Sequence, residues 1–105
     1  MIKKICATVL VIAIALSLAA CGSKPDIGKN SVLKTGVLRV GMECAYAPYN
    51  WTQSDDSNGA VPIYNSSDYA NGYDVMMAKK ICEANNWKLE IHKLDWDSIP
   101  IAVQS

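Results

Sequence analysis

A chain of 105 residues holds one domain at most. Ten basic side chains balance ten acidic ones, which removes support for a nucleic-acid or polybasic membrane-surface role. Half of the residues are hydrophobic, too many for a mainly disordered chain, although the first twenty positions swell that share.

Those twenty positions read as a targeting segment. Lys3 and Lys4 precede an uncharged, almost wholly apolar run of 16 residues from Ile5 to Ala20. A spanning helix needs about 20 such residues, so the run fits the core of a secretory signal better than a permanent anchor. It ends in Leu18-Ala19-Ala20-Cys21, followed by Gly22 and Ser23. That ending resembles the bacterial lipobox, in which a peptidase cuts before the cysteine and the thiol receives a diacylglyceryl group. The expectation is therefore a signal peptide over 1–20 and lipid attachment at Cys21. Buried acyl chains contribute about 0.8 kcal/mol per methylene, and more than one chain makes attachment stable.

With the signal removed, 85 residues remain, carrying eight basic and ten acidic side chains. Cys44 and Cys82 are then the only free thiols. Secretion permits a disulfide, but two cysteines specify no framework, and burial as free thiols is the expectation. A zinc site is not supported, because His92 is the only histidine and no Cys-x-x-Cys pair exists.

Residues 21–30 hold almost nothing apolar and read as a flexible tether, leaving 31–105 as the folded part. Ser31 to Thr35 predicts one helical turn closed by Gly36. Val37 to Met42 alternates, with Leu38, Val40 and Met42 on one face, and predicts a strand. Thr52 to Gly72 is rich in Ser, Asn, Asp and Gly. It reads as a long surface excursion around Val61-Pro62-Ile63-Tyr64, with room for a short hairpin. Asp74 is expected to cap an amphipathic helix of about 12 residues. Its apolar face carries Val75, Ala78 and Cys82, with Met77 and Ile81 beside them, and Asn85-Asn86 supplies the stop. Trp87 to Lys93 alternates again and predicts a second strand with His92 on its solvated face. A further helix is expected to start at Asp95-Trp96-Asp97-Ser98, capped by Asp97 or Ser98, with Pro100 in its first turn.

Strand, excursion, helix, strand, helix is the opening of an α/β domain. Two parallel strands and one and a half helices do not cover both faces of a parallel sheet, so the unit is incomplete.

Four ordered pieces carry a family resemblance: Leu38-Arg39-Val40-Gly41, Tyr46-Ala47-Pro48-Tyr49, Gly72-Tyr73-Asp74-Val75 and Trp96-Asp97-Ser98. In this order, behind a lipobox, they resemble bacterial solute-binding protein family 3, the polar-amino-acid class of ABC importers. The resemblance runs from about Val32 to Ser105. It implies a two-lobed periplasmic-binding-protein-like (Venus flytrap) fold that holds its ligand between hinged lobes. This chain would supply the first part of lobe one. The ligand's carboxylate clamp and the acid for its ammonium group would lie in the part not represented here. As given, the chain is expected neither to fold stably alone nor to bind an amino acid tightly. Departures from the pattern are Met76 where a second acid is common, Pro100 shifted by one place, and the length of the 52–72 excursion.

The resemblance also implies roles. Tyr46 would stack against the ligand, Glu43 would touch its side chain, and Trp96 would form the opposite wall. Tyr49 and Trp51 would pack behind Tyr46. A flat ring offers a large contact area at low entropy cost and attracts cations. Asp74 and Asp97 are assigned to helix capping and not to the site.

The implied function is non-enzymatic. A monomeric lipoprotein on the extracytoplasmic face of the cell membrane would capture a polar or charged amino acid and deliver it to the permease of an ABC transporter. No cofactor and no nucleic-acid partner are expected. The alternatives on the same fold are a periplasmic dehydratase-like enzyme and a sensory ligand-binding module. Acid–base chemistry needs a positioned acid or base. No Ser/His/Asp set is evident, and the paired acids Asp55-Asp56 fall in the polar excursion.

Overall fold

A computed structural model describes residues 27–104. The signal segment, Cys21 and all but the last four positions of the tether lie outside the described residues. In chain order the elements are α1 (Val32–Thr35), β1 (Val37–Met42), β2 (Ala45–Tyr46), β3 (Asn50–Gln53), β4 (Val61–Pro62), β5 (Tyr69–Asn71), α2 (Tyr73–Asn85), β6 (Lys88–Lys93) and α3 (Ile99–Gln104). This is a mixed α/β arrangement, consistent with part of one lobe of a periplasmic-binding-protein-like fold.

Local sequence explains the helix ends. Ser31 Oγ accepts the Leu33 N–H at 3.3 Å, and Gly36 closes α1 in the left-handed region at φ 68°. Asn86 does the same for α2 at φ 56°, as its short polar side chain permits. The start of α2 differs from expectation. Gly72, and not Asp74, is the N-cap, and no side chain caps the helix. Asp74 lies one residue inside the first turn, where its carboxylate is taken up by Asn50 instead. The last helix also starts differently: a 3-10 turn at Trp96–Ser98, preceded by Asp95, runs into α3 without a side-chain cap from Asp97 or Ser98. Pro100 does fall in the first turn of α3.

β1 and β6 are parallel neighbours, in register from Val37 opposite Lys88 to Met42 opposite Lys93. The connection between them crosses through a four-stranded antiparallel sheet in the order β2-β3-β5-β4 and then through α2. Val40 and Met42 turn one face of β1 toward the core, where Met42, Cys44, Ile63, Ala70, Val75 and Ile91 pack together. Val75, Ala78 and Cys82 are the buried stripe of α2, while Met77 and Ile81 face outward. Cys44 and Cys82 are both buried and unbridged, and burial raises each thiol's pKa above its usual range. On the opposite face of β1, a Cβ at Gly41 would lie 3.2 Å from Leu94 Cδ1 and 3.9 Å from Ile99 Cγ2. The glycine therefore lets α3 and the segment before it approach the sheet closely.

The segment 52–72 contains the short hairpin allowed for it, since β4 and β5 pair antiparallel, but it is more than a surface excursion. It supplies the end of β3, all of β4 and β5, and two core residues, Ile63 and Ala70. Its polar side chains satisfy one another. Gln53 Nε2 donates to the carbonyls of Asp55 at 2.9 Å and Ser57 at 3.0 Å, and Asn71 Nδ2 donates to Gln53 Oε1 at 3.3 Å. Side-chain and backbone hydrogen bonds from Ser57 hold the Asp55 carboxyl below its usual range. These bonds order the exposed 53–59 turn, while pairing of β5 with β3 and β4 holds Ala70 in the core beside Ile63. Ile63 then bridges to Ile91 of β6, and the Tyr64 N–H donates to the Ile91 carbonyl at 2.8 Å, joining the two sheets.

His92 is not simply solvated either. Its Nε2 lies 2.8 Å from Glu90 Oε1, and its ring meets Tyr64 with centroids 4.5 Å apart. Arg39, opposite Glu90 across the strands, reaches the same oxygen at 3.2 Å. The His92 hydrogen bond, with Arg39 beside it, holds the Glu90 carboxyl below its ordinary value.

Candidate ligand-binding groove

Just past the C-terminal end of β1 the chain forms a groove of about 570 Å³. This is the end of the strands where open α/β sheets place their ligands. Gly41, Met42 and Glu43 form one side, Tyr46 and Tyr49 a second, Asn50 and Asp74 a third, and Trp96 with Ile99 the last. β1, β2, β3, α2 and the turn and start of α3 thus deliver its walls, and residues as distant in sequence as Glu43 and Trp96 line it together.

Each wall has a local cause. The β2–β3 connection is tight: the Tyr49 N–H donates to the Tyr46 carbonyl at 2.9 Å. That brings the two rings into a stack with centroids 5.4 Å apart and planes 21° from parallel. Asp74 is placed by α2, whose first backbone N–H groups bond to the same connection: Tyr73 to the Pro48 carbonyl at 3.1 Å and Asp74 to the Tyr49 carbonyl at 2.9 Å. Trp96 is carried on the turn leading into α3. Tyr46 and Trp96 remain 62% and 70% exposed, so the groove is walled by aromatic surface that nothing among the described residues covers.

Glu43, Tyr46 and Trp96 therefore share one concavity. Tyr49 lines it directly, stacked on Tyr46, and does not lie behind it. Trp51 is outside the lining; it is half-buried on β3, and its Nε1–H donates to Gln53 Oε1 at 3.2 Å. Cys21 lies outside the described residues.

Asn50 and Asp74 are lining residues that sequence reasoning passed over. Asp74 was taken up by the capping argument, and Asn50 carried no motif of its own. The available signal was a lone amide between two aromatics in Tyr49-Asn50-Trp51, close after a proline. Asn50 Nδ2 donates to Asp74 Oδ2 at 3.0 Å, and Asn50 Oδ1 is buried with no partner. A second hollow of about 520 Å³ adjoins across Glu43, with Lys93, Asp95 and Ser98 among its walls. Among the described residues no cluster of three or more His, Cys, Asp or Glu side chains is placed to hold a metal. No helix among them is long and apolar enough to cross a membrane.

A parallel strand pair whose C-terminal end opens onto an aromatic, carboxylate-bearing groove is the architecture of a solute-binding lobe. The chain is similar to the L-cystine-binding protein TcyA of Bacillus subtilis (strain 168), a family 3 solute-binding protein. It is 30% identical to it over 107 residues, covering 92% of this chain and 35% of that protein. The match supports a fragment of bacterial solute-binding protein family 3, and the chain spans about a third of the length of the curated relative that it matches. No family model matches the chain, and no solved structure matches it.

Proposed function

We propose that this chain is part of an extracytoplasmic binding protein that captures an amino acid in the groove between Tyr46 and Trp96 and passes it to an ABC permease. The observation that carries the reading is the pair of exposed aromatic walls flanking Glu43 at the strand ends. Large aromatic rings left open to water are stabilised when a ligand covers them. The similarity to a protein named for binding L-cystine supports an amino-acid ligand and a binding role in place of catalysis. Lipid attachment at Cys21 belongs to the same reading and rests on the Leu18–Cys21 motif.

The direct test is calorimetric titration of the protein, expressed from its own gene, with the twenty amino acids and cystine. Tyr46→Ala is expected to weaken binding by about 1–3 kcal/mol, roughly 5- to 150-fold in Kd. An unchanged Kd would return Tyr46 to a packing role. For the anchor, mass spectrometry of the membrane fraction is expected to find an acylated Cys21, and Cys21→Ser is expected to release the protein. An unmodified Cys21 in membrane-bound material would reject the lipobox reading.

A further inference from the structure

One corner of the groove is held by side chains that do not line it. Between Glu43 and Tyr46, both in the lining, the chain turns from β1 into β2 at Cys44. Cys44 has φ 55°, a left-handed conformation that a residue with a Cβ seldom adopts. It is only 2% exposed, and a buried carbonyl needs a partner. The β2–β3 ladder supplies none, because its pairs stop at Ala45 opposite Trp51. The next residue of β3 fills the gap: Thr52 Oγ1–H donates to the Cys44 carbonyl at 2.9 Å. Lys93, the last residue of β6, donates from Nζ to the same Oγ1 at 3.0 Å. Chemistry fixes the direction of this relay. A hydroxyl has one proton and an ammonium can only donate, so Lys93 turns the Thr52 proton toward Cys44. A charged donor also polarises the hydroxyl and strengthens its bond to the carbonyl.

We infer that Thr52 is a positioning residue for the groove: its hydroxyl, oriented by Lys93, locks the left-handed Cys44 corner and so sets where Glu43 and Tyr46 stand. This rests on the amino-acid-binding reading above. Thr52 is outside the groove lining, so it acts through the backbone and not by touching a bound molecule. Three segments meet at its hydroxyl: the β1–β2 corner, β3 and the end of β6. Loss of the hydroxyl would leave the Cys44 carbonyl unpaired, and the corner would relax toward an ordinary backbone conformation. Glu43 and Tyr46 lie on either side of Cys44 in sequence, so a change in its φ and ψ re-aims one against the other.

The test is calorimetry on the protein expressed from its own gene, with the twenty amino acids and L-cystine as probes. For the probe that binds most tightly, Thr52→Val keeps the shape, removes the hydroxyl and is expected to raise Kd about tenfold. Thr52→Ser keeps the hydroxyl and is expected to stay within about twofold of the parent. Lys93→Met leaves the hydroxyl unoriented. It is expected to raise Kd about threefold, and it carries the test should Thr52→Val fail to fold. A role confined to stability would lower the urea midpoint and leave the Kd of the folded variants unchanged; that result would overturn the inference. Equal losses in the valine and serine variants would overturn it too, because the hydroxyl would not be the group responsible. Thiol labelling with peptide mapping gives a readout that needs no amino acid. Cys44 is expected to react at least about threefold faster in Thr52→Val, with Cys82, buried on α2, unchanged as the internal control. Unchanged Cys44 labelling would remove the held corner. Should no probe bind the parent, the amino-acid-binding reading fails, and the labelling alone decides whether Thr52 holds the corner.

Discussion

Gly72→Ala is expected to destabilise the protein by about 3 kcal/mol or more, the sum of a forbidden backbone angle and a collision. Gly72 has φ 121°, a region that side-chain-bearing residues rarely adopt. A Cβ there would lie 2.4 Å from the Tyr49 carbonyl oxygen and 2.7 Å from its carbon. Neither atom can move freely, because the Tyr49 carbonyl accepts the Asp74 N–H and the Tyr49 ring is stacked on Tyr46. The strain would therefore spread to the groove, weakening ligand binding as well as folding. Gly36 is the control. It also has a positive φ, 68°, but nothing lies within 4 Å of its missing Cβ. Gly36→Ala is expected to cost only about 1–2 kcal/mol, the left-handed penalty alone. Urea unfolding of the two variants beside the parent checks this. Equal losses at both positions would remove the close approach at Tyr49 from the account.

Ile91→Ala is expected to cost about 3–4 kcal/mol, within the range for deleting a large aliphatic side chain from a packed core. Ile91 is 0% exposed and stands at the junction of the two sheets. It pairs with Val40 of β1 on one side and bridges to Ile63 on the other. The cavity would thus open between β6, the 63–64 segment and Val75 of α2. Ile91→Val, which removes one methylene, is expected to cost about 1 kcal/mol. Hydrogen exchange adds a local readout. The Tyr64 amide, bonded to the Ile91 carbonyl, should lose protection more than the amides of α1, which do not touch the junction. A loss below about 1 kcal/mol for the alanine variant would show that the junction is held by the backbone bridge and not by Ile91 packing.

Local pattern determined much of this protein. The period-two alternation in Val37–Met42 and Lys88–Lys93 marks both strands of the parallel pair, because a half-buried strand must send alternate side chains to opposite faces. The spacing of Val75, Ala78 and Cys82 marks the buried stripe of α2, and Gly36 and Asn86 mark two helix ends through their tolerance of left-handed backbone. The ordered motifs carried the family. Tertiary structure decided the rest, for one recurring reason: a polar side chain does not announce its partner. Thr52 to Gly72 reads as a polar loop until its strand pairings are seen, and those pairings, with the bridge from Ile63 to Ile91, are what put Ile63 and Ala70 into the core. Asp74 has the local chemistry of a cap, yet Gly72 takes that place, since only a residue without a Cβ fits under the Tyr49 carbonyl. That displacement frees Asp74 to meet Asn50, twenty-four positions earlier, and so shapes one wall of the groove.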